Sequence, residues 1–176
     1  MMVTPVADES LAVQVATSDV DTGTTLYKLR ATDKLASAAI QEGRQRSATF
    51  ASLVEIVERS DTLVYVVSVH KLPHDMVGCL VHEGQGSGVR YLKVLVLMGM
   101  RSERMIVVLA HELQHVREVL DAGISNSQSA MGELFSRIGV PQLGTVTGEQ
   151  FETKSAHEVM ALVARELRTH RRVRQP

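Results

Sequence analysis

Tryptophan is absent from this chain, and aromatic residues make up only 3% of it. Any core is therefore aliphatic, and base stacking on aromatic rings, a common route to nucleic-acid binding, has few platforms to use. Cysteine occurs once, at Cys79. That rules out an intrachain disulfide and a Cys-based zinc site within one chain, and an apolar setting makes Cys79 a packing residue. Long apolar runs are missing too: the longest are about ten residues, short of what a membrane-spanning helix requires. The first fifteen residues have neither a basic region nor a long apolar run, so no targeting signal is seen. The expectation is a soluble, cytoplasmic protein, although removal of a signal would leave the same picture. Excess charge is also lacking. A formal net charge of -1 gives no general attraction to nucleic acid or anionic lipid. The one basic run, Arg165, Arg168, Arg171, Arg172 and Arg174, reads as a solvated helix end at the negative pole of a helix dipole.

What is present is enough apolar material, 44% of 176 residues, for one ordinary domain. Residues 1–30 are weakly patterned and read as an arm or poorly ordered segment before a single domain over 31–176. Helices are expected over Thr32–Gln41 and Ser47–Arg59, the second with Phe50, Leu53, Val54 and Val57 at helical spacing. Thr62–Val69, Gly78–Glu83 and Val89–Leu97 read as strands, the last two joined through Gly84–Gly88 as an antiparallel hairpin. Ser102 is placed to cap a helix reaching Asp121, and Gly123 to stop it. A shorter helix covers Ser127–Ile138. Thr147-Gly148-Glu149-Gln150 has the form of a capping box that would open a last helix reaching Arg172. Helix, helix, three strands and three helices make an α+β domain, with a short antiparallel sheet of about three strands packed by helices.

The chemistry lies in His111-Glu112-Leu113-Gln114-His115. Two histidines four residues apart on a helix share a face, about one turn apart, and both can reach one zinc ion. Glu112 falls between them, able to reach a water on the metal without being a ligand. With 7 His in the chain, a chance HExxH has a probability on the order of a percent or two. Context strengthens it: Met105 to Ala110 before the motif is continuously apolar, so the helix is expected to be buried, and buried charges need partners. A core histidine pair without metal is the plainer alternative.

A catalytic zinc needs a third protein ligand and an open position. On the last helix Ala156, Val159, Val163 and Leu167 define an apolar face, and stepping back four residues from Ala156 gives Glu152. A carboxylate thus stands where the apolar stripe should begin. A solvated Glu at a helix start is the alternative. Glu149, one turn earlier, competes as ligand, whereas His157 points well away from Glu152 by helix geometry.

HELQH followed by Phe151-Glu152-Thr153 resembles the gluzincins, zinc peptidases with two His from HExxH and a Glu from a later helix. The small size and preceding hairpin resemble their smallest members, the minigluzincins, over roughly residues 47–172. The resemblance implies a zincin-like fold and one zinc held by His111, His115 and Glu152. It also implies peptide-bond hydrolysis by a zinc-activated water with Glu112 as general base. Larger gluzincins often place an Asp four residues after the ligand Glu to orient a zinc-bound His; here that position is Ala156. They also steady the oxyanion with a downstream His or Tyr, for which His157, Tyr65 and Tyr91 are candidates. His70, His74 and His82 lie near strand ends and read as surface residues.

A peptide or protein substrate is expected to lie extended along the strand Val89–Leu97, taken as an edge. No nucleic acid or membrane span is expected. Two other readings compete: a zinc-binding regulatory or interaction domain without hydrolysis, and a helical interaction protein without metal. Residues 1–30 are a candidate cover for the cleft.

Overall fold

The computed structural model describes residues 27–123, 127–141 and 151–174. Most of residues 1–30, Glu149 and the proposed capping box at 147–150 lie outside them. In chain order the elements are β1 (Leu29–Ala31), α1 (Lys34–Arg46), α2 (Ala48–Arg59), β2 (Thr62–Val69), β3 (Gly78–Gly86), β4 (Val89–Leu97), α3 (Ser102–Asp121), α4 (Gln128–Ile138), β5 (Val140–Pro141), β6 (Phe151–Glu152) and α5 (Lys154–Arg174). The α+β class holds. No described helix is long and apolar enough to cross a membrane.

The sheet differs from expectation. Among the described residues it has four strands in the order β1-β2-β4-β3 and is mixed, not antiparallel. β1 and β4 both run parallel to β2, and only β3 with β4 is antiparallel. β1 straddles the boundary expected between arm and domain; three residues are too few to carry a periodic signal. β4 is an interior strand, so the expectation of an edge at Val89–Leu97 is corrected. The edge next to the helices of the site is β3. The hairpin turn is also shorter than expected. β3 runs to Gly86, and Ser87 and Gly88, both with positive φ (51° and 77°), make a two-residue turn whose twist suits the strands.

Strand alternation sorts the side chains. Thr62, Val64 and Val66 of β2 and Leu92, Val94 and Val96 of β4 are fully buried, and their neighbours are half-buried on the opposite face. The buried set joins Phe50, Leu53, Val54 and Val57 of α2, the apolar residues of α3, and Val163 and Leu167 of α5 in one aliphatic core. Asp33 and Ser47 accept hydrogen bonds from the first-turn amides of α1 and α2. Ser102 does not cap α3; it is the first helical residue, and its hydroxyl donates to Glu42. α3 lies at the centre, between sheet, α1, α2 and α5. From Val108 to Val116 every one of its residues is buried, polar ones included.

Candidate metal centre

Burial on all sides puts His111, Glu112 and His115 at 8%, 5% and 6% exposure. One turn of helix brings the two imidazoles together, Nε2 to Nε2 at 3.1 Å. The third group arrives from β6. Glu152 Oε2 lies 2.8 Å from His111 Nε2 and 3.8 Å from His115 Nε2. Glu152 is therefore not on the last helix as expected. Phe151–Glu152 pairs with Val140–Pro141, and the helix begins two residues later, at Lys154. Thr153 sets that start, its hydroxyl accepting from the Ala156 N–H at 3.1 Å. The argument from helix geometry that turned His157 away from Glu152 fails for the same reason: His157 Nε2 stands 3.8 Å from Glu152 Oε2.

The donor set fits a metal ion. His111, His115 and Glu152 each offer one atom, all within 4.8 Å of one another. Zinc bonds of 2.0–2.1 Å in a tetrahedron separate the donors by about 3.3 Å, in the middle of the distances found. Two His and one Glu are also the ligands of a known type of catalytic zinc site. Orphaned polar atoms point the same way. Glu152 Oε2 is buried and accepts no aligned hydrogen bond despite its proximity to the imidazoles. Burial pushes up its pKa, but the two imidazoles beside it more than reverse this and hold it at about 2.

Glu112 sits beside the three donors without joining them. Burial pushes its carboxyl up to about 7, against the pull of the neighbouring imidazoles. Gly78 makes room for it: a Cβ there would stand 2.5 Å from Glu112 Oε1 and 2.8 Å from Val108 Cγ1. Nothing in the pattern of the sequence marked Gly78, since that contact joins β3 to α3.

Sequence reasoning also missed Glu118 and Thr153. Glu118 Oε2 lies 2.8 Å from His115 Nδ1, and its Oε1 accepts from the Thr153 hydroxyl at 2.7 Å. The signal was present, because residues three apart on a helix are neighbours. Burial lowers the tendency of His115 to hold a proton, but Glu118, Glu152 and Glu112 raise its pKa to about 9. Among the described residues His111 has no such partner on Nδ1, which is buried and unbonded.

Two cavities flank the centre. One, about 150 Å³, is walled by Leu80, Phe135 and Phe151. The other, about 250 Å³, is walled by Val77, Val108, Met160 and His157. β3 borders both. The Val77 carbonyl accepts from the Leu97 N–H at 2.9 Å, so in an antiparallel ladder Gly78 and Leu80 turn their own N–H and C=O to the open edge. The next outward amide, His82 N–H, donates to Gln128 Oε1 at 3.0 Å.

Of the three candidates for steadying an oxyanion, only His157 is at the centre. Tyr65 and Tyr91 line a separate groove with Glu83 and Lys93; strand alternation puts them on the opposite face from Val64 and Leu92. His70 is exposed, as expected, whereas His82 is half-buried with its Nε2 unbonded. Protein-family models, curated proteins and solved structures were compared with this chain, and none matches.

Proposed function

We propose that this protein is a zinc-dependent peptidase of gluzincin type on a zincin-like domain. The observation that carries the reading is the convergence of His111 Nε2, His115 Nε2 and Glu152 Oε2 beside a buried carboxyl, between two cavities and along an open strand edge. A bound zinc would supply Lewis acidity toward a scissile carbonyl and a water. The chain's own residues would do the rest. The three donors hold the ion. The Glu112 carboxylate, buried beside the three donors, would take a proton and return it to the leaving amine. The outward N–H and C=O groups of Gly78 and Leu80 would pair with an extended peptide and fix its register. His157, half exposed and with its Nε2 3.8 Å from Glu152 Oε2, would donate to developing charge.

Elemental analysis of wild type and Glu152→Ala, with cleavage assays on Glu112→Gln, tests this. The expected result is about one zinc per chain, a large loss in Glu152→Ala, and a drop of about 10²–10⁴ in peptide cleavage for Glu112→Gln with zinc retained. A wild type that takes up no zinc would remove the reading.

One observation favours a second reading, a zinc-binding module without hydrolysis. Among the described residues His111 Nδ1 has no orienting partner, with buried Ala156 standing where the larger gluzincins often carry an Asp. Zinc-loaded protein that cleaves no peptide in a broad library would support it.

A further inference from the structure

We propose that Glu118 is the positioning residue of the centre, one carboxylate that braces two of the three donors at once. The inference rests on the metal-centre reading above. Its ground is the use made of the two Glu118 oxygens. Oε2 lies 2.8 Å from His115 Nδ1. With Nδ1 donating there, the lone pair of Nε2 faces Glu152 and His111, as a metal ligand requires. Oε1 accepts the Thr153 hydroxyl at 2.7 Å. Thr153 Oγ1 in turn accepts the Ala156 N–H, so the same hydroxyl caps α5. Thr153 is bonded through its peptide to Glu152. One side chain of α3 thus fixes the ring of the second histidine and the segment that presents the third donor. Gln114 Nε2 adds a longer contact to Oε1 at 3.4 Å.

The brace is one-sided. His115 is also held by the Phe135 ring, edge-on at 5.0 Å between centroids. Among the described residues His111 has neither a carboxylate nor a carbonyl on Nδ1. The orienting carboxylate of this centre thus lies on α3, and it serves His115 and not His111.

The test measures zinc affinity by competition with a chelating dye, and the visible spectrum of the Co²⁺-loaded protein. The set is wild type, Glu118→Ala, Glu118→Gln, Thr153→Val and the Glu118→Ala/Thr153→Val double variant. Loss of an orienting partner weakens binding about 10–100-fold, which is expected for Glu118→Ala together with a changed Co²⁺ spectrum. Glu118→Gln keeps an acceptor for His115 and is expected to stay within about fivefold of wild type. Thr153→Val is expected to weaken binding by less than Glu118→Ala, and the double variant to bind no worse than Glu118→Ala, because both act on one relay. Wild-type affinity in Glu118→Ala, or losses that multiply in the double variant, would overturn the brace.

A wild type that binds neither Zn²⁺ nor Co²⁺ would overturn the metal-centre reading instead. Amide exchange in the metal-free proteins then decides the brace alone. Faster exchange over the first turn of α5, from Ala156 to Met160, is expected in both Glu118→Ala and Thr153→Val, and unchanged exchange in Glu118→Ala refutes it. If Glu118→Ala does not fold, Thr153→Val carries the test: wild-type zinc affinity together with unchanged exchange over the start of α5 in that variant overturns the brace.

Discussion

Two polar clusters lie along α5, and they are built differently. Toward its C-terminal half Arg46 bridges Glu42, Glu103 at 2.6 Å and the Leu167 carbonyl at 3.0 Å, while the second oxygen of Glu42 accepts from Ser102. Glu166 accepts from the hydroxyls of Ser47 and Thr49 and from the Thr49 N–H. None of these side chains contributes an unbonded buried atom. At the other end of α5, His111 Nδ1 and Gln114 Oε1 are buried without a hydrogen bond from any described residue, and Glu152 Oε2, 2.8 Å from His111 Nε2, accepts none that is well aligned. An unsatisfied buried polar atom costs about 1–3 kcal/mol. The first cluster is complete and ties α1, α2, α3 and α5 together. The second leaves polar atoms open around the three candidate donors, as the proposed metal centre requires.

Three outcomes would sharpen or break the contrast. The largest is expected from metal. Zinc buffered at about a thousand times its Kd should stabilise the wild type by about 4 kcal/mol, a rise in Tm of roughly 8–16 °C. Glu152→Ala should lose most of that rise, and an equal rise in both by calorimetry would mean the ion binds elsewhere. Next comes Arg46→Met, which removes the cation shared by Glu42 and Glu103. It should cost about 2–3 kcal/mol in urea unfolding while zinc affinity stays within about twofold; a marked loss of affinity would show the two clusters to be one.

The smallest effect concerns Glu166. Burial works to raise its pKa, but its three hydrogen-bond donors hold it below the ordinary carboxylate value. A depressed folded pKa means stabilisation that is present above the unfolded value, near 4.3, and lost as pH falls through the folded one. Glu166→Gln should therefore cost about 1–2 kcal/mol at pH 7 and progressively less below pH 4. A constant difference across that range would contradict it.

Local pattern carried much of this far. The stripe Phe50, Leu53, Val54 and Val57 is buried as its spacing requires, and α3 spans Ser102–Asp121 as expected. Glu152 was singled out for a reason that does not hold. It was read as the first member of a helical stripe, yet it lies in β6, ahead of the cap at Thr153. The stripe itself is real: Ala156, Val163 and Leu167 are buried and Val159 packs against the core. Glu118 was legible from its spacing to His115 and was not read, because one helix face does not announce that a threonine from a distant segment will meet it.

The sequence by itself determined the α+β class, the helical turn that pairs His111 with His115, the place of Glu112 between them, and the aliphatic core, because each follows from composition or from contacts within four residues. Tertiary structure alone decided that β4 is interior and β3 the open edge, that Tyr65 and Tyr91 face away from the centre, that Gly78 leaves space for Glu112, and that Glu118 meets Thr153. Each of these depends on how residues distant in the chain come together, through strand order, sheet face or interhelical packing, and periodicity along one segment holds no information about its partner.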